Sequence, residues 1–268
     1  MVKTYKYIVI LISILALSNC TSEKEVDLNL PIYPTTPVIE CYLEPGKPFR
    51  LFAYYSVGYF ETAKLIQVEN AKIQIKYEGQ TFDLIYDTIP RPGEKRRYNY
   101  RTTDLTTVPF DYVKSFQLSA RIQNTNYYAT TTIPNPITIE SVQTICNTEQ
   151  RCQESIMFKD PMNETNFYRF LSIADSIGGD VKQDIIINDE TFNQTDVTIG
   201  GGYKYNQGQK VILKLFKMNR DYYLFLESVK TAQSANGNPF AQPSSIKSNI
   251  PGMIGIFTGL SYDEKTVN

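Results

Sequence analysis

Between Ala71 and Tyr86 the chain alternates with a period of two, and this constrains the fold more than anything else in it. Ala71, Ile73, Ile75 and Tyr77 are apolar or aromatic, and Lys72, Gln74 and Lys76 between them are polar. Successive side chains on a strand point to opposite faces, so this spacing makes a half-buried strand and cannot make a helical stripe. Glu78-Gly79 is a tight-turn dipeptide, and residues 81–86 return with Phe82, Leu84 and Tyr86 inward, which completes a hairpin. The alternation recurs at Phe116, Leu118, Ala120 and Ile122. Asn124-Thr125-Asn126 then turns the chain, and residues 127–133 pair back. Residues 38–43 and 49–55 read as two earlier strands, divided by the turn signal Glu44-Pro45-Gly46. Residues 56–69 have no clean period and read as a long loop, and 90–97 read as a solvated basic loop tip. Short strands at even spacing with turns between them predict an immunoglobulin-like β-sandwich over residues 31–133.

Pro134-Asn135-Pro136 holds the chain extended and marks a boundary. Beyond it, strands are expected at 137–145, 153–159, 167–174, 183–188 and 210–217. One helix is predicted over 219–234. Tyr222, Phe225, Leu226 and Val229 fall on one stripe, Asn219 is placed to cap the start and Gly237 to stop the end. Gly200-Gly201-Gly202 lacks the Lys-Ser/Thr ending of a phosphate loop and reads as a flexible hairpin tip. The fold class expected is mainly β: the sandwich, then a second β-rich domain over 137–268 that carries one amphipathic helix.

The first residues set the compartment. Lys3 and Lys6 precede an apolar run from Tyr7 to Leu17. The run is shorter than the roughly 20 residues that span a bilayer and suits a signal peptide over residues 1–19. Leu17-Ser18-Asn19-Cys20 resembles a bacterial lipobox, in which the Cys becomes the mature N-terminus and carries acyl chains, palmitate among them. Cys20 is therefore the expected lipid-attachment site, and 20–36 the lipidated tether, kept extended by Pro31 and Pro34. Two or more acyl chains anchor a protein stably where one does not. Thr21-Ser22-Glu23-Lys24-Glu25 resembles the acidic export signal that Bacteroidota place after the lipidated Cys of surface lipoproteins.

Without Lys3 and Lys6, the 27 basic residues become 25 against 28 acidic ones, a net charge of −3. With no basic run behind that charge, no nucleic-acid partner is expected. There is no histidine, so Ser-His-Asp and Cys-His catalysis and His-dependent zinc sets are excluded within this sequence. In an exported chain, Cys146 and Cys152 around a five-residue polar loop suit a local disulfide. Cys41 sits in an apolar run and reads as a buried free thiol. Asn188-Asp189-Glu190, Asn193 and Asp196 are oxygen-rich, as calcium loops are, but the EF-hand pattern and its Gly are missing; no metal and no cofactor are expected.

After the helix come Asn238-Pro239-Phe240-Ala241-Gln242-Pro243, Ser248-Asn249-Ile250-Pro251-Gly252 and Gly255-Ile256-Phe257-Thr258-Gly259. With the lipobox, Val38-Ile39-Glu40, Asn70-Ala71-Lys72-Ile73, Ala129-Thr130-Thr131-Thr132-Ile133-Pro134 and Asn166-Phe167-Tyr168-Arg169, these segments resemble an uncharacterised family of Bacteroidota outer-membrane lipoproteins. The resemblance covers the mature chain and implies an outer-membrane location beside a TonB-dependent receptor. The Pro-, Asn- and Gly-rich C-terminal stretch reads as an ordered loop with special backbone geometry. Its Asn238, Phe240, Asn249 and Phe257 are candidates for a partner-contact surface, or else braces of the helix on the sheet. The leading expectation is a non-enzymatic, surface-exposed lipoprotein that binds a partner or ligand as an accessory to a TonB-dependent transporter. The alternative is a structural or adhesive envelope lipoprotein. A carboxylate-based glycan-active enzyme, for which Glu40 and Asp160 are one conceivable acid pair, comes last.

Overall fold

The computed structural model describes residues 35–57, 64–89, 98–103, 106–162, 164–176, 179–191, 195–235 and 245–268. Its strands are, in order, β1 (Pro37–Leu43), β2 (Arg50–Tyr55), β3 (Ile66–Gln67), β4 (Ala71–Tyr77), β5 (Gln80–Tyr86), β6 (Tyr100–Arg101), β7 (Ser115–Ile122), β8 (Thr125–Thr132), β9 (Ser141–Cys146), β10 (Arg151–Lys159), β11 (Phe167–Ala174), β12 (Val181–Asn188), β13 (Asp196–Gly200), β14 (Tyr205–Asn206), β15 (Val211–Met218), β16 (Ile254–Gly259) and β17 (Ser261–Val267). Helix α1 (Arg220–Ala235) lies between β15 and β16. The protein is mainly β, in several sheets.

The hairpin expected from the alternation is β4–β5, with Tyr77 opposite Gln80. Its turn needs two left-handed residues, and Glu78 and Gly79 have φ 49° and 75°. The β7–β8 turn falls at Gln123-Asn124, one residue earlier than expected, with Gln123 at φ 54°. The expected long loop over 56–69 contains β3, which pairs with β2. The basic loop 90–97 lies outside the described residues.

The first sheet runs β16-β1-β2-β6-β5-β4-β7-β8, with β3 added to β2. It curls until its ends approach: Gly259 of β16 packs on Thr132 and Ile133 at the exit of β8. One core fills the curl, with Ile39, Leu51, Ile75, Phe116, Leu118 and Phe257 among its wholly buried members. Cys41 is a buried free thiol in that core, and burial pushes it far above the ordinary thiol range.

Two four-stranded sheets follow, β13-β10-β14 with β9 on β10, and β12-β11-β15-β17. They share a core of Ile156 and Phe158 from β10, Tyr168 and Phe170 from β11, and Leu213 and Leu215 from β15. The opposite face of β11 and β15 presents Phe167, Phe216 and Met218 to Tyr222 and Phe225 of α1. Tyr42 of β1, Ile256 of β16 and Leu260 complete the buried members of that third cluster. The predicted helical stripe is thus core: Leu226 and Val229 also pack there.

The last strands change the expected division of the chain. β16 enters the first sheet parallel to β1, with Val38 opposite Ile254 through Leu43 opposite Gly259. β17 then runs antiparallel to β15 in the third sheet. Of the stretch expected to be an ordered loop, Ile254–Gly259 is therefore strand. The Pro134–Pro136 boundary is crossed as well: Ser261 Oγ donates to Asn135 O at 3.2 Å, and Ile139 N–H to Asp263 Oδ2 at 2.9 Å. Thr35–Asn268 forms one compact unit rather than two domains meeting at 134–136.

The glycine tract is not a hairpin tip. β13 and β14 both pair with β10 on the edge opposite β9, so they are two pieces of one interrupted strand. Gly200, Gly201 and Gly202 have φ 121°, 116° and 76° and form the bulge between those pieces, with Gly201 N–H donating to Glu154 O at 2.9 Å.

Cys146 and Cys152 are disulfide-bonded and directly opposed across β9 and β10, with their Cα atoms 4.0 Å apart. Asn147 Oδ1 accepts from the Glu149 and Arg151 amides and shapes the turn inside the ring. So small a loop is worth about 2 kcal/mol in the chain-entropy account. Denaturant midpoints of the Cys146→Ser/Cys152→Ser double variant should show a loss of that size, and unchanged midpoints would assign the bond no stabilising role.

Candidate functional site: a polar cleft where three segments meet

Three segments distant in sequence, with Tyr112 and Glu190, line an open cleft of about 510 Å³. They are the exit of β8 (Thr132, Ile133, Pro134), the approach to β11 (Glu164, Asn166) and the passage from β15 into α1 (Lys217, Asn219, Arg220). Two asparagines hold them. Asn219 stands just before the helix, and its backbone carbonyl accepts from the Tyr222 and Tyr223 amides. Asn219 thus stands at the expected N-cap position. Its side-chain amide donates to Thr132 O at 2.7 Å and Thr131 Oγ1 at 3.2 Å, which ties the helix start to the strand exit. Asn166 is buried, and its amide donates to Pro161 O and Glu164 O, both at 3.2 Å, folding the 160–166 loop on itself.

The lining is polar and of mixed sign. Lys217 Nζ pairs with Glu164 at 2.9 Å. Glu190, held at 3.0 Å by the Asn188 amide, and the exposed Arg220 supply further charge. An open cavity with charges of both signs suits a polar segment of a partner better than a small apolar ligand, which wants an enclosed apolar pocket.

A larger groove of about 720 Å³ lies at the β4–β5 turn, beside Lys76, Tyr77, Glu78 and Lys114. Tyr77, Glu78 and Lys114 each have a partner. Tyr77 donates to Asp111 Oδ2 at 2.5 Å, and Lys114 pairs with Glu78 at 2.6 Å. The Tyr77 hydroxyl, with the Val113 and Lys114 amides, holds Asp111 down to about 2, and the bond to Asp111 pushes Tyr77 up to about 12. Those contacts brace a hairpin against the following strand.

Next to the cleft lie two buried acids. Asp160 is 2 % exposed and Asp189 5 %. The Tyr168 hydroxyl donates to Asp160 Oδ1 at 2.5 Å, and Asp160 Oδ2 has no hydrogen-bond partner. The Asp189 carboxyl lies within hydrogen-bonding range of Asp160. Burial raises the Asp160 carboxyl above its ordinary value, and Asp189 adds to the rise against the pull of Tyr168. Tyr168 is pushed far above the phenol range by burial and by Asp160. The oxygen-rich runs at 160–166 and 188–196 are each visible in the sequence, but nothing there says that they meet.

The residues expected to make a partner-contact surface divide. Asn238 and Phe240 lie outside the described residues, as does Cys20. Phe257 is wholly buried in the first core, so it offers no contact surface. Asn249 is spent internally: its side chain donates to Phe257 O at 2.8 Å and accepts from Phe257 N–H at 2.9 Å. Glu40 of β1 accepts from the Tyr42 and Tyr54 hydroxyls at 2.8 and 2.9 Å, while Asp160 has Tyr168 and Asp189, so each acid of that conceivable pair has its own partners.

No curated protein matches this sequence. Among solved structures, a chain of a cytokine receptor complex in crystal form 2 is similar at 8% identity and a TM-score of 0.26, covering 69% of this chain and 92% of that chain. A chain of the same description in crystal form 1A is similar at 7% identity and a TM-score of 0.26, covering 86% of this chain and 95% of that one. The match that decides membership lies in sequence and takes in both cleft-forming asparagines: across residues 23–266, the chain belongs to the family described as Domain of unknown function (DUF4249).

Proposed function

We propose that this chain is a lipid-anchored outer-membrane protein, facing outward, that binds a partner without catalysis as an accessory to a TonB-dependent transporter. The observation that carries the binding role is the open, mixed-charge cleft built from the β8 exit, the β11 approach and the start of α1. Leu17-Ser18-Asn19-Cys20 supports the anchor, and the acidic residues that follow support the outward orientation. On this reading the curled first sheet is an immunoglobulin-like scaffold, a fold that supports many functions and names none. The cleft would accept a polar loop of the partner, with Arg220 and Glu190 as its charged contacts.

Cys20→Ala should move the protein from the membrane fraction to the soluble one; retention in the membrane would defeat the anchor. Affinity recovery from mildly solubilised outer membranes should bring down a transporter. Arg220→Glu should cut that recovery severalfold, while Lys114→Glu at the hairpin groove leaves it unchanged. Recovery of free monomer alone would refute the accessory role.

A further inference from the structure

We propose that Asp160 and Asp189 are the protein ligands of a divalent-cation site of the calcium class, built where the loop after β10 meets the turn after β12. Three observations carry it. Asp160 is almost wholly buried, yet its Oδ2 has no hydrogen-bond partner. A buried acceptor left unmatched is costly, and a hard cation is one way to satisfy it. A second buried carboxyl, Asp189, lies within hydrogen-bonding range of that side chain and is an acceptor when ionised.

The charge balance points the same way. Asp160, Asp189 and Glu164 all act on Tyr168, while the cation acting on Asp160 is Lys217. Lys217 is already paired with Glu164 at 2.9 Å. If both are ionised, Asp160 and Asp189 carry two negative charges, which one divalent cation would neutralise. Both ligands are all-oxygen, which selects calcium or magnesium over softer metals. Irregular loops suit calcium, whose coordination is flexible, better than magnesium, which demands near-octahedral geometry.

Backbone contacts hold both acids in place. Asp160 N–H donates to Thr195 O at 2.9 Å, and Asp189 N–H donates to Asn166 O at 3.2 Å. The second contact runs through the asparagine that folds the 160–166 loop, so a bound cation would also stiffen one wall of the cleft. The site itself is independent of whatever the cleft binds.

The test uses the full chain, stripped with EDTA and titrated with calcium chloride alone by calorimetry at neutral pH, with thermal unfolding in parallel. Saturable binding of one cation per chain and a rise in Tm are expected. Asp189→Asn should weaken calcium binding at least tenfold. Glu154→Gln should leave it unchanged, because that buried acid is satisfied by the Thr144 hydroxyl of β9 at 2.6 Å. Absence of both heat and Tm shift in the unmutated chain, at calcium well above the weakest extracellular affinities of about 1 mM, overturns the proposal whether or not the variants fold. So does calcium binding that Asp189→Asn leaves intact. A calcium-insensitive chain that Asp189→Asn stabilises also overturns it and makes the two acids a proton-sharing pair.

Discussion

Replacing Gly255 with valine is expected to leave no stably folded protein. Gly255 sits in β16 opposite Ile39 of β1, with φ +135°, where side-chain-bearing residues are strained. A Cβ there would lie 1.8 Å from Ile39 O and 2.9 Å from Ile39 N. Those are backbone atoms of a central strand and cannot swing aside. The first sheet would have to release β16, and with it Phe257 from the first core and Ile256 from the helix cluster. A loss above about 4–5 kcal/mol is the exceptional class for one substitution, and native domains have only about 5–15 kcal/mol to lose. Gly252→Ala is the control. Its φ is +84°, but the nearest atom to a new Cβ is in the Tyr127 ring at 3.5 Å. It should cost only the left-handed penalty, about 1–2 kcal/mol. Chemical denaturation of both variants checks the pair, and a Gly255→Val protein with a midpoint near that of the unmutated chain would mean that β16 does not lie against β1.

Asp184→Ala should give the second large loss, through the charge it strands. Arg169 on β11 grips Asp184 on β12 with two bonds, Nε to Oδ1 at 2.9 Å and Nη2 to Oδ2 at 2.8 Å. Its Nη1 donates to the Tyr222 hydroxyl of α1 at 2.7 Å. Lys230, two turns along the helix, donates to Asp184 O at 2.9 Å. This cluster fastens the helix to the third sheet. Removing one member of a buried pair costs about 3–5 kcal/mol because the other is left uncompensated. Asp184 retains 31 % side-chain exposure against 14 % for Arg169, so the low end of that range is expected. Arg169→Met/Asp184→Leu should recover much of the loss, since an apolar pair of similar volume removes the stranded charge. Equal losses in the single and double variants would contradict this.

The same pair sets a pH dependence. Burial alone would raise the Asp184 carboxyl, but Arg169 and then Lys230 outweigh it and hold it below its ordinary value. A depressed carboxylate contributes stability that is fully present above its unfolded value, near 3.9, and is lost as pH falls through the folded value. The stability gap between the unmutated chain and Asp184→Asn should therefore be constant near neutral pH and close below about pH 4. A gap that persists unchanged at acid pH would assign the cluster to packing and not to charge.

The alternating strands of the first sheet could be read residue by residue. β4, β5 and β7 bury one face and wet the other, so their alternation reports the face directly. The helix was legible for the same reason: Tyr222, Phe225, Leu226 and Val229 share one stripe, and that stripe is what packs. β16 gave no such signal because five of its six residues are buried on both faces, so no alternation exists to read. Asn219 shows a different limit. Its type and position mark the helix start, but they do not show that its amide donates to Thr131 and Thr132, 88 and 87 residues away in sequence. The cleft and the acidic pair were illegible for the same reason, since each joins loops that only the packed sheets bring together.

The sequence by itself determined the alternating strands, the helix, which of their faces turn inward, and where a short disulfide can close, because local periodicity and short loops are properties of neighbours along the chain. Only the tertiary structure decided that β16 lies beside β1, that β17 closes the third sheet, and that Asp160 faces Asp189. Backbone hydrogen bonds are alike in every strand, so partners distant in sequence are chosen by how whole faces bury against each other, and that choice is absent from any local window.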